Sequence, residues 1–232
     1  MASRPGRPRA GGPSTSGRGT GEDILAAAAV LFCEVGYSST STYAVAERAG
    51  VRQASLYHHF AGKHEILRAL LLSTVRPSLE LAERLAASAE PAPARLWALC
   101  AGDVRLLGGG PANLGALYLF PEVDDEKFAD FHELHRALRD RYADLVARCG
   151  TGSGSEAAET GQLVLSLVEG VILRRREEPG LDVEALAERI ADGALALVGL
   201  PQDAVATTRA AGAALLCAAT SPAAAEGAST QP

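Results

Sequence analysis

The chain has 232 residues, 47% of them apolar, 22% charged and 5% aromatic, with a formal net charge of −6. That length supports a sizeable buried core, and a composition rich in Ala and Leu favours helix over sheet. No apolar run reaches the ~18 residues a membrane span requires, and the N-terminus carries no apolar signal core, so the expected location is cytoplasmic with no membrane partner. Cys33, Cys100, Cys149 and Cys217 are far apart and form no CxxC pair. Three of them fall on apolar helical faces, and they read as buried thiols rather than as a disulfide framework or a metal site.

The charge is unevenly divided. Residues 1–63 carry seven Lys/Arg against four acids, whereas the remainder carries fifteen against twenty-four. A basic end on an acidic body is the distribution expected of a protein that presents one end to nucleic acid.

In chain order, residues 1–19 are Gly, Pro, Ser and Arg with almost nothing apolar, the composition of a mobile basic arm. A helix begins after Thr20, with Glu22 and Asp23 in its first turn. Its apolar face is Ile24, Leu25, Ala28, Leu31, Phe32 and Val35, and Gly36 stops it. Thr40 or Ser41 caps a second helix that buries Val45, Ala46 and Ala49. Gly50 ends that helix in a tight turn, and a third short helix runs from about Arg52 to Phe60. A long helix from about Lys63 to Ser88 contains Pro77, which is expected to kink or break it. An apolar helix follows Pro91 and Pro93, and Gly108-Gly109-Gly110-Pro111 ends it. A short segment to Phe120, a long helix from Asp124 to Cys149, and helices over 156–176 and 182–199 complete the pattern. The tail after Pro201 is expected to add a short Ala-rich helix and to end in about a dozen disordered residues. Nothing reads as a strand, so the fold class is all-α.

The informative stretch runs from Gly36 to Lys63. It reads as two short helices joined by a turn, with Ala46 small enough for a close crossing and Gly50 free to take the left-handed backbone. Val51 and Leu56 close a small core. The exposed side of the third helix then offers Arg52, Gln53, Ser55, Tyr57, His58 and His59, groups able to reach base edges and phosphates.

Gly36-Tyr37, the Thr/Ser cap, Val45-Ala46, Ala49-Gly50-Val51, Leu56-Tyr57, His59-Phe60 and Lys63, in this fixed spacing, closely resemble the DNA-binding domain of the TetR family of repressors. The resemblance covers about residues 20–70. Beyond it, only the layout and Glu169-Gly170-Val171 in the penultimate long helix agree. It implies a three-helix, helix-turn-helix DNA-binding domain at 20–66, a helical ligand-binding and dimerisation domain at 67–200, and a tail at 201–232. It also implies base reading by Arg52, Gln53 and Ala54, and base or phosphate contacts by Ser55 and Tyr57. His59 and Lys63 would contact phosphate, and Thr40, Ser41 and Thr42 would touch the DNA backbone. Tyr43 stands where the family often carries Arg.

Useful specificity from so short a half-site requires two copies. The resemblance implies a homodimer paired through the last two long helices, by Leu163, Val164, Leu167, Val171, Leu186, Ile190, Leu195 and Val198, with intramolecular packing as the other role for these faces. A small hydrophobic or amphipathic effector would sit among Trp97, Cys100, Val104, Leu107, Leu117, Tyr118, Phe120, Phe128, Phe131 and His135, residues that equally suit plain packing. No cofactor is expected. His132 and His135 stand at i, i+3, not the i, i+4 of a zinc-protease helix, and read as a polar face rather than a metal site. Arg174-Arg175-Arg176 with Glu177-Glu178 reads as a solvated helix end.

The expectation is a DNA-binding transcriptional regulator that represses at a palindromic operator until a ligand releases it. Two other classes remain. The arm Arg4-Pro5-Gly6-Arg7-Pro8-Arg9 resembles the minor-groove hook of architectural proteins, although basic tails also serve solubility alone. A helical enzyme lacks support, since no nucleophile–base pair, metal cluster or phosphate loop is visible.

Overall fold

A computed structural model describes residues 19–220 apart from Thr151 and Ser153. The expectations for the arm over Arg4–Arg9 and for the last dozen residues lie outside the described residues. Those described form nine α-helices and no strand: α1 Thr20–Val35, α2 Thr42–Arg48, α3 Gln53–His59, α4 Lys63–Ala86, α5 Ala92–Gly108, α6 Ala129–Arg148, α7 Ser155–Glu177, α8 Val183–Leu197 and α9 Gln202–Thr220. Short 3-10 turns cover Leu114–Leu119, Pro121–Asp124 and Glu126–Phe128. The chain divides into two compact units between Leu70 and Leu71, so α4 contributes to both.

The first unit is built from α1, α2, α3 and the start of α4. The carboxylate of Glu22 accepts from the Gly19 amide at 3.3 Å and holds the first turn of α1. Ile24, Ala28, Phe32, Val45, Ala46, Leu56, Ile66 and Leu67 are buried together. Val35 does not join them. It is 54% exposed, because the packed face of α1 ends with Phe32. Gly50 has φ 69°, the left-handed conformation the turn between α2 and α3 demands. The amide of Val51 donates to the carbonyl of Ala46 at 2.9 Å and completes that turn.

In the second unit α5 is the central element, packed against α6, α7, α8 and α9. Its residues Leu96 to Ala101 are all buried, as befits a helix apolar on every side. The tail helix α9 is longer than expected, at 19 residues. It lies against α5 at Gly212, where a Cβ would stand 2.7 Å from Trp97 Cε3 and 2.9 Å from the Ala94 carbonyl oxygen. Helix α4 runs through Pro77 without a break. Helix α6 begins only at Ala129, because the acidic stretch before it folds into 3-10 turns capped by Asp125, whose carboxylate accepts from the Lys127 amide. Of the four cysteines, all free thiols, only Cys100 is buried, and Cys217 is exposed.

Candidate functional site

Helix α3 is held by one apolar anchor, Leu56, which is fully buried. Around it Arg52, Gln53, Ala54, Tyr57, His58 and His59 are exposed, and Ser55 is half-buried. Tyr57 is 50% exposed, and its hydroxyl lies 3.1 Å from Oγ1 of Thr42 on α2. Gln53 Nε2 donates to the same oxygen at 3.4 Å. Three polar side chains from two helices therefore share one exposed face, and Tyr43, 61% exposed, adds an aromatic ring from α2. Ser41 caps α2 by accepting from the Ala44 amide at 3.1 Å, and the residue itself is exposed.

Two residues expected on this face have other roles. Thr40 is buried, and its hydroxyl donates to the Gly36 carbonyl at 2.7 Å, so its side chain is withdrawn from any DNA-facing set. It joins the end of α1 to the cap of α2 instead. The ammonium of Lys63 donates to the carbonyls of Tyr37 at 2.7 Å and Thr40 at 2.9 Å, with Ser38 at 3.4 Å. It also stands 4.2 Å from the centroid of the Tyr37 ring. Three donors aimed at loop carbonyls make Lys63 a clasp for the turn between α1 and α2.

The residues expected to line a ligand pocket have differing surroundings. Trp97 turns towards α8 and α9, where its indole Nε1 donates to Asp192 Oδ1 at 3.0 Å and Arg209 pairs with the same carboxylate. Cys100, Val104, Leu107, Leu117 and Phe128 are core residues. Phe120 is half-buried at the junction of two 3-10 turns. Tyr118, Phe131 and His135 do come together, with ring centroids 5.1 Å apart for Tyr118–Phe131 and 5.8 Å for Tyr118–His135. Tyr118 is hydrogen-bonded to Thr74, and His135 Nε2 lies 2.7 Å from Glu169 Oε1. Nε2 of His132 faces the Val123 carbonyl at 2.9 Å, which assigns it as the protonated nitrogen, so the two histidines serve separate partners. Among the described residues no group of three His, Cys, Asp or Glu is placed to hold a metal ion.

A cavity of about 240 Å³ lies elsewhere, between α4, α5 and α9. Pro77, Leu81, Leu106 and Leu216 form its apolar wall, and Ser78 and Asp103 are polar groups within it. Asp103 is 2% exposed. Burial pushes its carboxyl up to about 6, Tyr142 and the nearby Ser78 hydroxyl restrain the rise, and the charge of Glu169 adds to it. The Tyr142 hydroxyl donates to Oδ2 at 2.7 Å. The Ser78 hydroxyl donates to the Thr74 carbonyl at 3.4 Å while standing near Asp103, and among the described residues Oδ1 accepts no hydrogen bond. Sequence reading missed this aspartate. The one signal was an acid set among apolar residues of the most buried helix.

The expected dimer face divides in two. Val164, Val171, Leu195 and Val198 are buried within the unit, because α7 and α8 turn those sides to α5 and α6. They are corrected to intramolecular core. Leu163 and Leu167 are 56% and 42% exposed, Leu186 and Ile190 are half-buried, and nothing lies within 4 Å of a Cβ built at Gly170 or Gly193. Arg175 departs from a solvated helix end, since its guanidinium donates to the carbonyls of Gly109, Gly110 and Ala112 and closes the glycine-rich loop. Arg174, half exposed, pairs with Glu178 at 2.8 Å.

A polar helix carried on a buried leucine, behind a glycine turn and a capped helix, defines a helix-turn-helix module followed by a helical body. Residues 24–70 match the model of the bacterial regulatory proteins of the tetR family. The structure superposes on AmtR of Mycobacterium smegmatis with a TM-score of 0.79 at 43% identity, covering 89% of this chain and 98% of that one. The chain belongs to the TetR family of bacterial regulators. It is 41% identical to the transcriptional repressor KstR2 of Mycobacterium tuberculosis over 63 residues, 27% of this chain and 30% of that protein. Over 147 residues it is 28% identical to KstR2 of Rhodococcus jostii, covering 61% of this chain and 70% of its relative. The chain thus spans less than a third of the first of these curated relatives in alignment.

Proposed function

We propose that this protein is a transcriptional repressor that binds a palindromic operator as a homodimer and is released by a small molecule. The observation that carries the reading is the face of α3, where Arg52, Gln53, Tyr57, His58 and His59 are all exposed around the anchor Leu56. Side chains at the start of such a helix reach base edges in the major groove, and cationic or hydroxyl-bearing neighbours reach phosphates. The polar chain Gln53–Thr42–Tyr57 fixes these groups before contact, which reduces the ordering required on binding. Ser41, Thr42 and Ala54 fall on or beside this face and complete the proposed DNA-binding set.

Two copies place two such helices on the half-sites of a palindrome. The exposed leucines of α7 and the open glycines of α7 and α8 support a face where a second subunit pairs. The effector acts through its differential affinity for conformers that differ in operator binding. The experiment is an electrophoretic shift with the protein's own promoter region. Binding that weakens steeply with salt and falls at least tenfold with Arg52→Ala or Tyr57→Ala supports the reading. Indifference of the shift to both substitutions overturns the assignment of α3.

A further inference from the structure

We propose that the cavity between α4, α5 and α9 is a binding site for a small amphipathic amine, its ammonium held by Asp103 and its hydrocarbon part by Leu81, Leu106 and Leu216. The inference deepens the ligand response proposed above and rests on that reading for its regulatory meaning alone; the binding site itself stands on geometry.

A cavity of about 240 Å³ is somewhat larger than the roughly 150 Å³ space that holds benzene in an apolar core. It therefore fits a phenyl ring with a short side chain, or an alkyl chain of similar bulk. Its wall is mostly hydrocarbon, which favours an apolar body removed from water. Its buried charged element is a carboxylate with one oxygen already occupied by Tyr142 and the other, beside the Ser78 hydroxyl, without a hydrogen bond among the described residues. A buried polar atom left in that state is costly, and a ligand that brings a donor offsets the cost.

The choice of a cation follows from charge. An alcohol would satisfy the hydrogen bond and leave the buried negative charge uncompensated, whereas an ammonium supplies both. An acid would set like charges together. Two arginines also line the cavity. Arg105 is engaged with Glu184 at 2.7 Å, and Arg84 is exposed, where solvent and salt screen its repulsion of an incoming ammonium.

The test is calorimetric titration of the full chain, free of DNA, with 2-phenylethylamine, 2-phenylethanol and 3-phenylpropionate. The amine is expected to bind at one saturable site at least tenfold more tightly than the alcohol, and the acid not at all. Asp103→Asn keeps an acceptor for Tyr142 and is expected to bring the amine down to the alcohol's affinity. Leu106→Trp, at an exposed position of the wall, is expected to abolish binding without touching the carboxylate. Equal affinity for amine and alcohol, preference for the acid, or an Asp103→Asn protein that binds the amine unchanged would each overturn the proposal. Operator binding measured separately keeps the two readings apart. Amine binding that leaves DNA affinity unaltered upholds the site and counts against its part in regulation, and absence of amine binding leaves the DNA reading standing.

Discussion

The ammonium of Lys63, at the first turn of α4, donates to the main-chain carbonyl of Tyr37 at 2.7 Å across 26 positions of sequence. With its bonds to Thr40 and Ser38, this one side chain closes the turn that positions α2. Replacing it with Met keeps the stem and removes the donors, leaving part-buried carbonyls without a charged partner. A loss of about 2–3 kcal/mol is expected for the helix-turn-helix unit, read as a lowered urea midpoint. A variant of unchanged stability whose DNA binding merely loses one step of salt dependence would return Lys63 to the phosphate-contacting role.

Exposed Arg52 makes the contrasting case. It makes no ion pair within the described residues, and its backbone caps α3 without help from its side chain. Arg52→Ala is expected to leave stability within ~0.5 kcal/mol of the parent. If the residue meets a phosphate, the slope of log affinity against log salt falls by about 1; if it meets a base, specificity relaxes at one operator position instead. Titrations at several salt concentrations, on the operator and on scrambled DNA, separate these outcomes.

The contrast also shows what the sequence carries and what it does not. Apolar periodicity and glycine placement were enough for the helices of the first unit, because the turn at Gly50 and the anchor Leu56 each satisfy a local requirement. The same pattern could not tell which polar residue faces inward. Thr40 and Lys63 look like surface groups until the loop carbonyls they serve are folded beside them. In the second unit, periodicity marks a side of α7 or α8 as apolar without saying what covers it. Val164 and Leu195 face α-helical neighbours of the same chain, and Leu163 and Leu167 do not. Asp103 was invisible for a related reason, since its significance lies in Tyr142 and Ser78, which are distant in sequence.

The exposed pair on α7 gives a direct test of subunit pairing. Leu163→Glu with Leu167→Glu alters side chains that are 56% and 42% exposed, so the fold of one subunit is expected to persist. Across a two-fold interface each substitution counts twice, and each leucine buried there contributes about 1.5–3 kcal/mol. Dimerisation is expected to weaken a hundredfold or more, with sedimentation velocity showing a monomer and helical circular dichroism unchanged. A dimer that persists would place the pairing face elsewhere.

Asp103 links stability to pH in a direction that can be checked. Its carboxyl is carried from 3.8 to about 6 by burial, so the folded state binds the proton more tightly than the unfolded chain. The contribution of this group is therefore most favourable at low pH, is lost as the pH rises from about 4 to 6, and levels off above. The whole effect is on the order of 3 kcal/mol. Asp103→Asn keeps the acceptor for Tyr142 and removes the charge. Relative to the parent it is expected to gain about 1–3 kcal/mol at pH 7.5 and little at pH 4.5, by urea unfolding at both. Equal differences at the two pH values would remove Asp103 as the source.

Trp97 is the protein's single tryptophan, which makes the docking of α9 directly observable. Its indole donates to Asp192 on α8, Arg209 on α9 braces the same carboxylate, and Gly212 lets α9 approach the ring. Any side chain at 212 meets both the indole and a main-chain oxygen of α5, and the oxygen cannot be moved by a change of rotamer. Gly212→Ala would add helix propensity to an isolated helix, yet here it is expected to destabilise by about 1–3 kcal/mol, because the overlap with packed backbone outweighs a propensity gain below ~1 kcal/mol. Lifting α9 wets the indole, so the emission of Trp97 is expected to shift to longer wavelength. Arg209→Ala, which leaves the packing at 212 intact, is expected to shift it less. A blue-shifted, more stable Gly212→Ala protein would mean that α9 has room to spare against α5.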